Sequence, residues 1–203
     1  SDVYKRQVSG NELIVDETDL GTDGSANYKP AFDTAFAGTY HYGADGEATT
    51  GALSSAYALA VKSAGVDSGL IDTATGNHVY LFLENGVVVG REAATSQLAA
   101  QSTAPIVFQL TVDGTGQVVL DQQRAIVHTT STNPDTSEPA ATMASDLISL
   151  SRTDTIQDKD GDFATSSPAT LNIGSSLVFK DDGPTIDAPK AVVSGNELIV
   201  DET

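Results

Sequence analysis

The sequence predicts an all-β protein: an immunoglobulin-like β-sandwich, enlarged by insertions, that is one unit of a tandem array. Two observations support the fold class. Short segments in which apolar and polar residues alternate recur along the chain, and turn signals rich in Gly, Asn and Asp separate them. Almost no stretch has the apolar periodicity of a helix. Because a minimal immunoglobulin domain needs only about 100 residues, a chain of 203 residues leaves room for insertions.

A repeated string supports the tandem array. The eleven residues VSGNELIVDET occur at 8–18 and again at 193–203, so the second copy begins 185 residues after the first (193 − 8). Verbatim recurrence is typical of units that follow one another, and we expect the chain to be a piece of a longer protein. We therefore divide it into an expression or assembly junction at 1–7, a β-sandwich unit at 8–184, and a linker with the first strand of the next unit at 185–203.

The individual elements are predicted from alternation and from turn residues. A first strand at 12–15 runs into an acidic pair and is followed by a polar loop at 18–30. Residues 67–77 are predicted as a turn region, 93–101 as either a short helix or a loop, and 129–139 as an exposed loop. The remaining strands are predicted at 39–42, 56–62, 78–84, 87–91, 106–112, 117–128, 146–156, 169–173 and 176–179, the last two as a pair.

Two of the turns predict β-hairpins. Asn85-Gly86 separates the strands at 78–84 and 87–91, and this dipeptide readily adopts the positive φ angles of a two-residue hairpin loop. The sequence DGTG at 113–116 provides a second signal of the same kind, between the strands on either side of it. Consecutive antiparallel strands are therefore expected in the middle of the chain.

Composition excludes several classes of protein. The formal net charge of −18 argues against a nucleic-acid partner, since phosphate binding needs clustered Lys and Arg. The absence of Cys removes disulfides, thiolate zinc sites and Cys nucleophiles. Hydrophobic residues make up 39% of the chain, enough to fill a core. No apolar run approaches the ~18 residues of a membrane span, so we expect no direct membrane insertion.

The chain carries no recognisable catalytic motif. His41, His78 and His128 lack HExxH spacing, and we expect packing or surface roles for them. A GxSxG elbow, a phosphate-binding glycine loop and a GxGxxG string after a strand are all absent from the sequence. A glycosidase pair among the 28 acidic residues is the remaining enzymatic alternative, because its geometry cannot be read from sequence. We predict that the protein is not an enzyme.

An aspartate-rich loop is the strongest candidate site. Asp158, Asp160 and Asp162 alternate along the chain, and Gly161 permits a sharp bend, so their side chains can converge on one ion. The spacing resembles the start of an EF-hand loop, but Phe163 occupies the position that requires Gly, and the twelfth position lacks Glu. Carboxylates gathered in this way repel one another unless a cation joins them. Ca²⁺ fits best, because it accepts six to eight oxygen ligands in flexible geometry.

Acidic pairs at both ends of the unit extend this candidate site. One pair follows the last predicted strand, and another lies inside each copy of the repeated string. Our interpretation is that carboxylates of two successive units bind Ca²⁺ at their junction, with Asp154 and Asp187 as weaker additions. The predicted metal ligands are Asp158, Asp160, Asp162, Asp181, Asp182, Asp201, Glu202, Asp16 and Glu17.

The order of the motifs resembles a known family, the tandem repeats of giant bacterial RTX adhesins, which leave Gram-negative cells by type I secretion. The resemblance spans residues 8–184. The occurrence of six motifs in the same order along the chain is more specific than any one of them. The motifs are LIVDET at 13–18, SGLIDTATG at 68–76, QRAIVH at 123–128, DKDGD at 158–162, ATLNIG at 169–174 and FKDDGP at 179–184.

The resemblance implies an extracellular extender domain at the bacterial cell surface. It would be stiffened by Ca²⁺ at the repeat junctions, with neighbouring repeats as partners, and would project a distal adhesive region in cell adhesion and biofilm formation. The glycine-rich nonapeptides of RTX proteins are absent here, so no secretion-signal role is expected. The competing hypothesis is a module that binds a glycan or another surface through its loops. The absence of Trp and an aromatic content of 6% favour the extender.

Overall fold

Thirteen β-strands organise the part of the chain that the computed structural model describes, which comprises residues 12–17, 20, 25–26, 32–129, 140–182 and 188–189. In these ranges, α-helix is confined to the single turn α1 at Ser96–Ala99. The strands are β1 Leu13–Asp16, β2 Ser25–Ala26, β3 Leu53–Val61, β4 Val66–Ile71, β5 His78–Glu84, β6 Val87–Ala93, β7 Ile106–Val112, β8 Val118–Gln122, β9 Ala141–Thr142, β10 Ile148–Gln157, β11 Phe163–Thr165, β12 Ala169–Asn172 and β13 Leu177–Lys180.

The largest sheet has six antiparallel strands in the order β2-β8-β7-β6-β5-β4. Asn85 and Gly86 connect β5 to β6 with φ angles of 51° and 84°, which confirms the first predicted hairpin. In the turn between β7 and β8, the Asp113 carboxylate accepts hydrogen bonds from the backbone N–H groups of Thr115 (2.8 Å) and Gln117 (3.0 Å). This second hairpin prediction is also confirmed. Strands β4 to β8 are neighbours in chain order, and only the connection from β6 to β7, at 94–105, is long enough to contain α1.

One glycine in this sheet is required by packing. Gly90 in β6 lies beside Phe108 in β7, and a Cβ atom at Gly90 would overlap the Phe108 ring. The Phe108 ring is fully buried and lies with its centroid 5.3 Å from that of Phe179 in β13. The missing side chain at Gly90 therefore lets an aromatic ring fill the space between two sheets.

The second layer is built around the long strand β10. One edge of β10 pairs with β3 along its length, and the other edge pairs with β12 near its start and β11 near its end, all antiparallel. Strand β3 also lies against β5, β6 and β7 of the large sheet. Leu59 of β3 and Leu150 of β10 are buried in the same core as Leu81 and Leu110. The two sheets thus form a sandwich.

A third, small sheet closes one side of the core. Its order is β1-β13-β9, and β1 runs parallel to β13, with Leu13 beside Leu177 and Asp16 beside Lys180. Leu13, Val15, Leu177 and Phe179 are all buried in the common core. The two strands most distant in sequence are therefore neighbours, and they end at the same edge of the molecule.

The predicted all-β sandwich is confirmed, although several elements differ from expectation. Residues 39–42 form no strand, and the first part of the predicted turn at 67–77 belongs to β4, which ends at Ile71. The predicted pair 169–173 and 176–179 exists as β12 and β13, but β12 pairs with β10 whereas β13 pairs with β1 and β9. The predicted loop at 129–139 lies outside the described residues except for its first position.

Candidate metal centre

The Asp-rich loop follows β10 as a tight turn. The Asp158 carboxylate accepts hydrogen bonds from the backbone N–H groups of Asp162 (2.8 Å) and Gly161 (3.2 Å). Gly161 has a φ angle of 104°, which favours glycine, and the backbone N–H of Asp158 donates to the carbonyl of Asp162 at 3.0 Å. These bonds fold the loop back on itself and fix one side of the acidic cluster.

A second turn, at residues 43–46, packs against this loop. The backbone N–H of Lys159 donates to the carbonyl of Gly46 at 3.1 Å, and the N–H of Ala48 donates to the carbonyl of Gln157 at the same distance. An isolated antiparallel bridge joins Glu47 to Asp158. Two loops that are more than a hundred residues apart in sequence are therefore held together by backbone hydrogen bonds.

Three carboxylates converge where the two turns meet. Oxygen atoms of Asp45, Asp158 and Asp160 all lie within 4.8 Å of one another, with Asp45 and Asp160 exposed and Asp158 half-buried. The hydrogen bond that protonated Asp160 can donate to Asp158, and the negative charge of the Asp158 carboxylate, raise the pKa of Asp160 above its ordinary value. An oxygen-only group with mutual repulsion is what a hard divalent cation binds. Asp158 and Asp160 were predicted as ligands, whereas Asp45 was not.

Asp162 stands beside this group without joining it. Together with Asp158 it lines a shallow cavity of about 190 Å³, whose wall also includes His41, Tyr42 and Phe163. The Phe163 side chain is 76% exposed, an unusual state for a large apolar residue. The cavity therefore combines carboxylates with aromatic rings at one edge of the sandwich.

A second group of possible ligands lies at the end of the small sheet. Side-chain atoms of Glu17, His128 and Asp181 lie within 4.8 Å of one another, and each residue is half-buried. Glu17 follows β1 and Asp181 follows β13. Because these strands are parallel neighbours that end together, the acids at the two ends of the unit meet within one unit. The repeated string, by contrast, predicts Glu17 as a ligand at a junction between successive units.

Protein groups already surround Glu17. One oxygen of its carboxylate accepts hydrogen bonds from the backbone N–H of Ile126 (2.8 Å) and from the Gln122 amide (3.1 Å), and lies 3.3 Å from Nε2 of His128. The side chains of Glu17 and His128 are only 7% and 2% exposed. Glu17 therefore anchors the end of β1 to the segment that follows β8, whether or not an ion is bound.

Among the remaining predicted ligands, the described residues Asp16 and Asp182 belong to neither group. Asp16 lies at the end of β1 beside Lys180, and Asp182 is exposed after β13. Asp201 and Glu202 lie outside the described residues, as does Asp187.

The weaker candidate Asp154 has protein partners instead. Its carboxylate accepts hydrogen bonds from Arg152 (2.7 Å), Ser55 (2.6 Å) and the Tyr40 hydroxyl (2.8 Å). Burial alone would raise the pKa of Asp154, but the hydrogen bonds from Arg152, Ser55 and Tyr40 outweigh it and hold the pKa below its usual value. The Arg152 guanidinium supplies the positive charge that Asp160 lacks, so Asp154 needs no cation.

Two of the sequence motifs meet in an ion pair whose carboxylate is buried and whose guanidinium side chain is 31% exposed. Asp72, fully buried, accepts hydrogen bonds from Nε (2.7 Å) and Nη2 (3.0 Å) of Arg124, and from the backbone and hydroxyl of Thr75. The Arg124 hydrogen bonds hold the pKa of Asp72 below its ordinary value. The backbone N–H of Thr73 donates to the carbonyl of Ala125 at 3.0 Å and joins the same two segments. This ion pair therefore joins the SGLIDTATG and QRAIVH segments, and we refer to it as the Asp72–Arg124 lock.

The comparisons with known proteins give a family. The model of DUF5801, described as a domain of unknown function, matches residues 12–174, most of the chain. The chain belongs to this family. The DUF5801 match lies inside the predicted unit 8–184 and contains Asp45, Asp158 and Asp160. Neither a curated protein nor a solved structure matches the chain. In the described ranges of this DUF5801 domain, no helix is both long and apolar enough to cross a membrane.

Proposed function

We propose that this domain is a non-catalytic, calcium-binding extender repeat of a large bacterial surface adhesin. It would work outside the cell, with neighbouring repeats of the same chain as its partners. The observation that carries this proposal is the convergence of the Asp45, Asp158 and Asp160 carboxylates within 4.8 Å. The repeated string at 8–18 and 193–203 supports the tandem arrangement.

The chemistry of the acidic group favours Ca²⁺ over other cations. All three side chains offer carboxylate oxygens, two of them exposed, so water molecules can complete a coordination shell of six to eight ligands. Mg²⁺ requires a tighter octahedral arrangement, and zinc prefers nitrogen or sulfur ligands. Extracellular calcium modules typically bind with dissociation constants of about 0.1 to 1 mM. Such a site would be empty in the cytoplasm and filled after export.

The proposed mechanism is mechanical. Without a cation, repulsion among carboxylates opposes close packing of the turn at 43–46 against the loop at 158–162. With Ca²⁺ bound, the two loops are joined at one edge of the sandwich in addition to their backbone hydrogen bonds. The acids after β13, Asp181 and Asp182, would extend this stiffening toward the linker that leads to the second copy of the string.

Calcium titration of the chelator-treated protein by calorimetry tests the proposal. We expect binding in the wild type and its loss in a variant that combines Asp158→Asn with Asp160→Asn. The matched control combines Asp67→Asn with Asp146→Asn, which changes the net charge equally at exposed acids outside the group. Equal calcium binding in both variants would show that the ligands are misassigned.

The extender role needs a separate measurement on two consecutive repeats in one chain. Small-angle scattering should show a larger maximum dimension and a narrower distance distribution when calcium is added. Asp158→Asn with Asp160→Asn in both repeats should abolish this change while circular dichroism still reports folded β-sandwiches. An unchanged scattering curve on calcium addition to the wild type would refute stiffening.

A glycan-binding module is the second candidate, and one observation favours it. Phe163 is 76% exposed and lines the same cavity as Tyr42, His41 and Asp158. Exposed aromatic rings beside a cation site can stack on a sugar while the ion orients its hydroxyl groups. A panel of immobilised glycans, probed with and without calcium, separates the candidates. Binding that disappears in Phe163→Ala but survives in Phe36→Leu would favour this module over a spacer.

A further inference from the structure

The groove beside β13 holds β1 through side chains whose residue types recur in the second copy of VSGNELIVDET. Leu13 and Val15 of β1 are each 1% exposed, and the backbone of β1 forms a parallel ladder with β13. Adding 185 to each number gives Leu198 and Val200 in the second copy, in the same order and spacing. A groove that accepts the first copy has no chemical means to reject the second.

The recognition includes a polar contact as well as the two buried apolar side chains. Glu17, at the end of β1, receives hydrogen bonds from Ile126 and Gln122 and lies close to His128. The corresponding residue of the second copy is Glu202. Because register slips by one residue would expose the apolar side chains, a buried anchor at a fixed position also selects the register. Both copies carry this anchor.

The position of β1 in the fold makes exchange feasible. β1 is the first described strand of the chain and forms an edge of the sheet β1-β13-β9, where it hydrogen-bonds to β13. Replacing it leaves the β13-β9 pairing and the two larger sheets in place. Strand exchange is most accessible for an edge strand, because the strand can leave without breaking the pairing between other strands.

The chain between β13 and the second copy is long enough. Residues 181–197 are seventeen in number. The connection leaves β13 at its last residue, Lys180, whereas a strand parallel to β13 must begin beside its first residue, Leu177. The connection must therefore run back along the length of β13, about 10 Å at about 3.3 Å per residue. Seventeen residues can span up to about 56 Å at about 3.3 Å per residue, far more than this return requires. The linker therefore permits the second copy to reach the groove of its own chain.

We propose that the groove beside β13 is a receptor for the repeated string and that residues 193–203 of the same chain can replace residues 8–18 in it. In this exchanged form the strand that begins the next unit completes the present one. Consecutive repeats would then be held by a shared strand, a connection that needs no ion. The inference does not depend on the calcium proposal, because none of its contacts involves Asp45, Asp158 or Asp160.

Paired substitutions in the full chain test the exchange. Leu13→Asp with Val15→Asp disables the first copy, and Leu198→Asp with Val200→Asp disables the second. We expect the first-copy variant to keep a cooperative thermal transition close to that of the wild type, because the second copy fills the groove. The variant with all four substitutions should lose several degrees or its transition altogether. A first-copy variant as unstable as the fourfold variant overturns the proposal.

A disulfide trap reports the exchanged strand directly, because the chain contains no Cys. Asp16 and Lys180 are register partners, and Asp201 is the equivalent of Asp16 in the second copy. Neighbouring strands lie about 4.8 Å apart, within the Cα separation that a disulfide spans. Asp16→Cys with Lys180→Cys in the otherwise wild-type chain is the positive reference.

The test pair is Asp201→Cys with Lys180→Cys in the Leu13→Asp, Val15→Asp background. We expect an intramolecular disulfide, formed to an extent comparable with the reference and independent of protein concentration. A folded protein without this disulfide would overturn the proposal. Crosslinked dimers that increase with concentration would also overturn it as stated, since the strand would then come from a second copy of the chain.

Discussion

Two acidic regions of the molecule differ in what balances their charge. Asp72 is fully buried, and the guanidinium of Arg124 meets its carboxylate through two hydrogen bonds, which lowers the pKa of Asp72. Asp160 is exposed, and its interaction with the neighbouring Asp158 carboxylate raises the pKa of Asp160. The protein supplies the counter-ion in the first region, and our proposal is that a cation from solution supplies it in the second.

Because of this difference, we expect the first region to contribute to the stability of the fold and the second to stiffen the domain only when a cation is bound. The lock between Asp72 and Arg124 joins the turn after β4 to the segment after β8, and it is complete whatever the solvent contains. The group around Asp160 lies at the edge, where its backbone is already held by hydrogen bonds and only its charges are unbalanced. A cation there should change rigidity and local stability without deciding whether the sandwich folds.

Removing the internal counter-ion should have the largest effect. Arg124→Met leaves the Asp72 carboxylate buried without its guanidinium, and breaking one partner of a buried pair typically costs about 3 to 5 kcal/mol. Urea unfolding followed by circular dichroism measures this loss. The double variant Arg124→Met with Asp72→Leu removes both charges and should recover part of the stability. If Arg124→Met unfolds at the wild-type urea concentration, the lock contributes nothing.

Supplying the external counter-ion should have the next largest effect. Calcium at about 100 times its dissociation constant stabilises a single-site protein by about 2.7 kcal/mol. We expect such a gain in the wild type, measured as a shift of the urea midpoint on adding calcium, and no gain in Asp160→Asn. Without calcium, Asp160→Asn should be at least as stable as the wild type, because it removes a repulsion between carboxylates. A calcium-free protein weakened by Asp160→Asn would contradict this account.

The locations of most strands could be predicted because apolar and polar residues alternate along a strand that has one buried face and one exposed face. Strands β5 and β7 have the predicted bounds, and Asn85-Gly86 forms the predicted turn. β4 was missed because its sequence VDSGLI contains Gly and Asp, which indicate a turn locally. In the folded chain, pairing with β5 outweighs that preference, and Ser68 is buried with its hydroxyl bonded to the carbonyl of Val79.

The candidate site could be predicted only where its residues are close in sequence. Asp158 and Asp160 share a loop, so their spacing indicated convergence. Asp45 joins them through contacts between two distant turns, and the only local signal was its place in a Gly-rich turn. Glu17 and Asp181 meet because β1 runs parallel to β13, a pairing between chain ends that neither segment records on its own. Contacts between residues distant in sequence therefore depend on the tertiary topology, which local sequence patterns do not reveal.

The pH dependence of the two regions should have opposite signs. The lowered pKa of Asp72 means that its contribution to stability is present above the ordinary aspartate pKa and is lost as pH falls through its folded value. Because the pKa of Asp160 is raised in the folded protein, ionised Asp160 destabilises the calcium-free fold at pH values above its folded-state pKa. Acidification protonates Asp160 and removes this destabilisation. The urea midpoint of calcium-free protein, measured from neutral to acidic pH, should converge with that of Asp160→Asn on acidification. If the two urea midpoints move apart on acidification, ionised Asp160 stabilises the calcium-free fold, contrary to this prediction.

The smallest effect should come from an exposed pair that resembles the internal lock only in charge. Lys62 and Asp146 are 2.7 Å apart, but their side chains are 56% and 50% exposed, so water screens both charges. Lys62→Met makes the same kind of change as Arg124→Met, a cation replaced by an apolar side chain, and should shift the urea midpoint little if at all. A loss as large as that of Arg124→Met would mean that burial does not distinguish the two pairs. The comparison between a protein-supplied and a solvent-supplied counter-ion would then lose its physical basis.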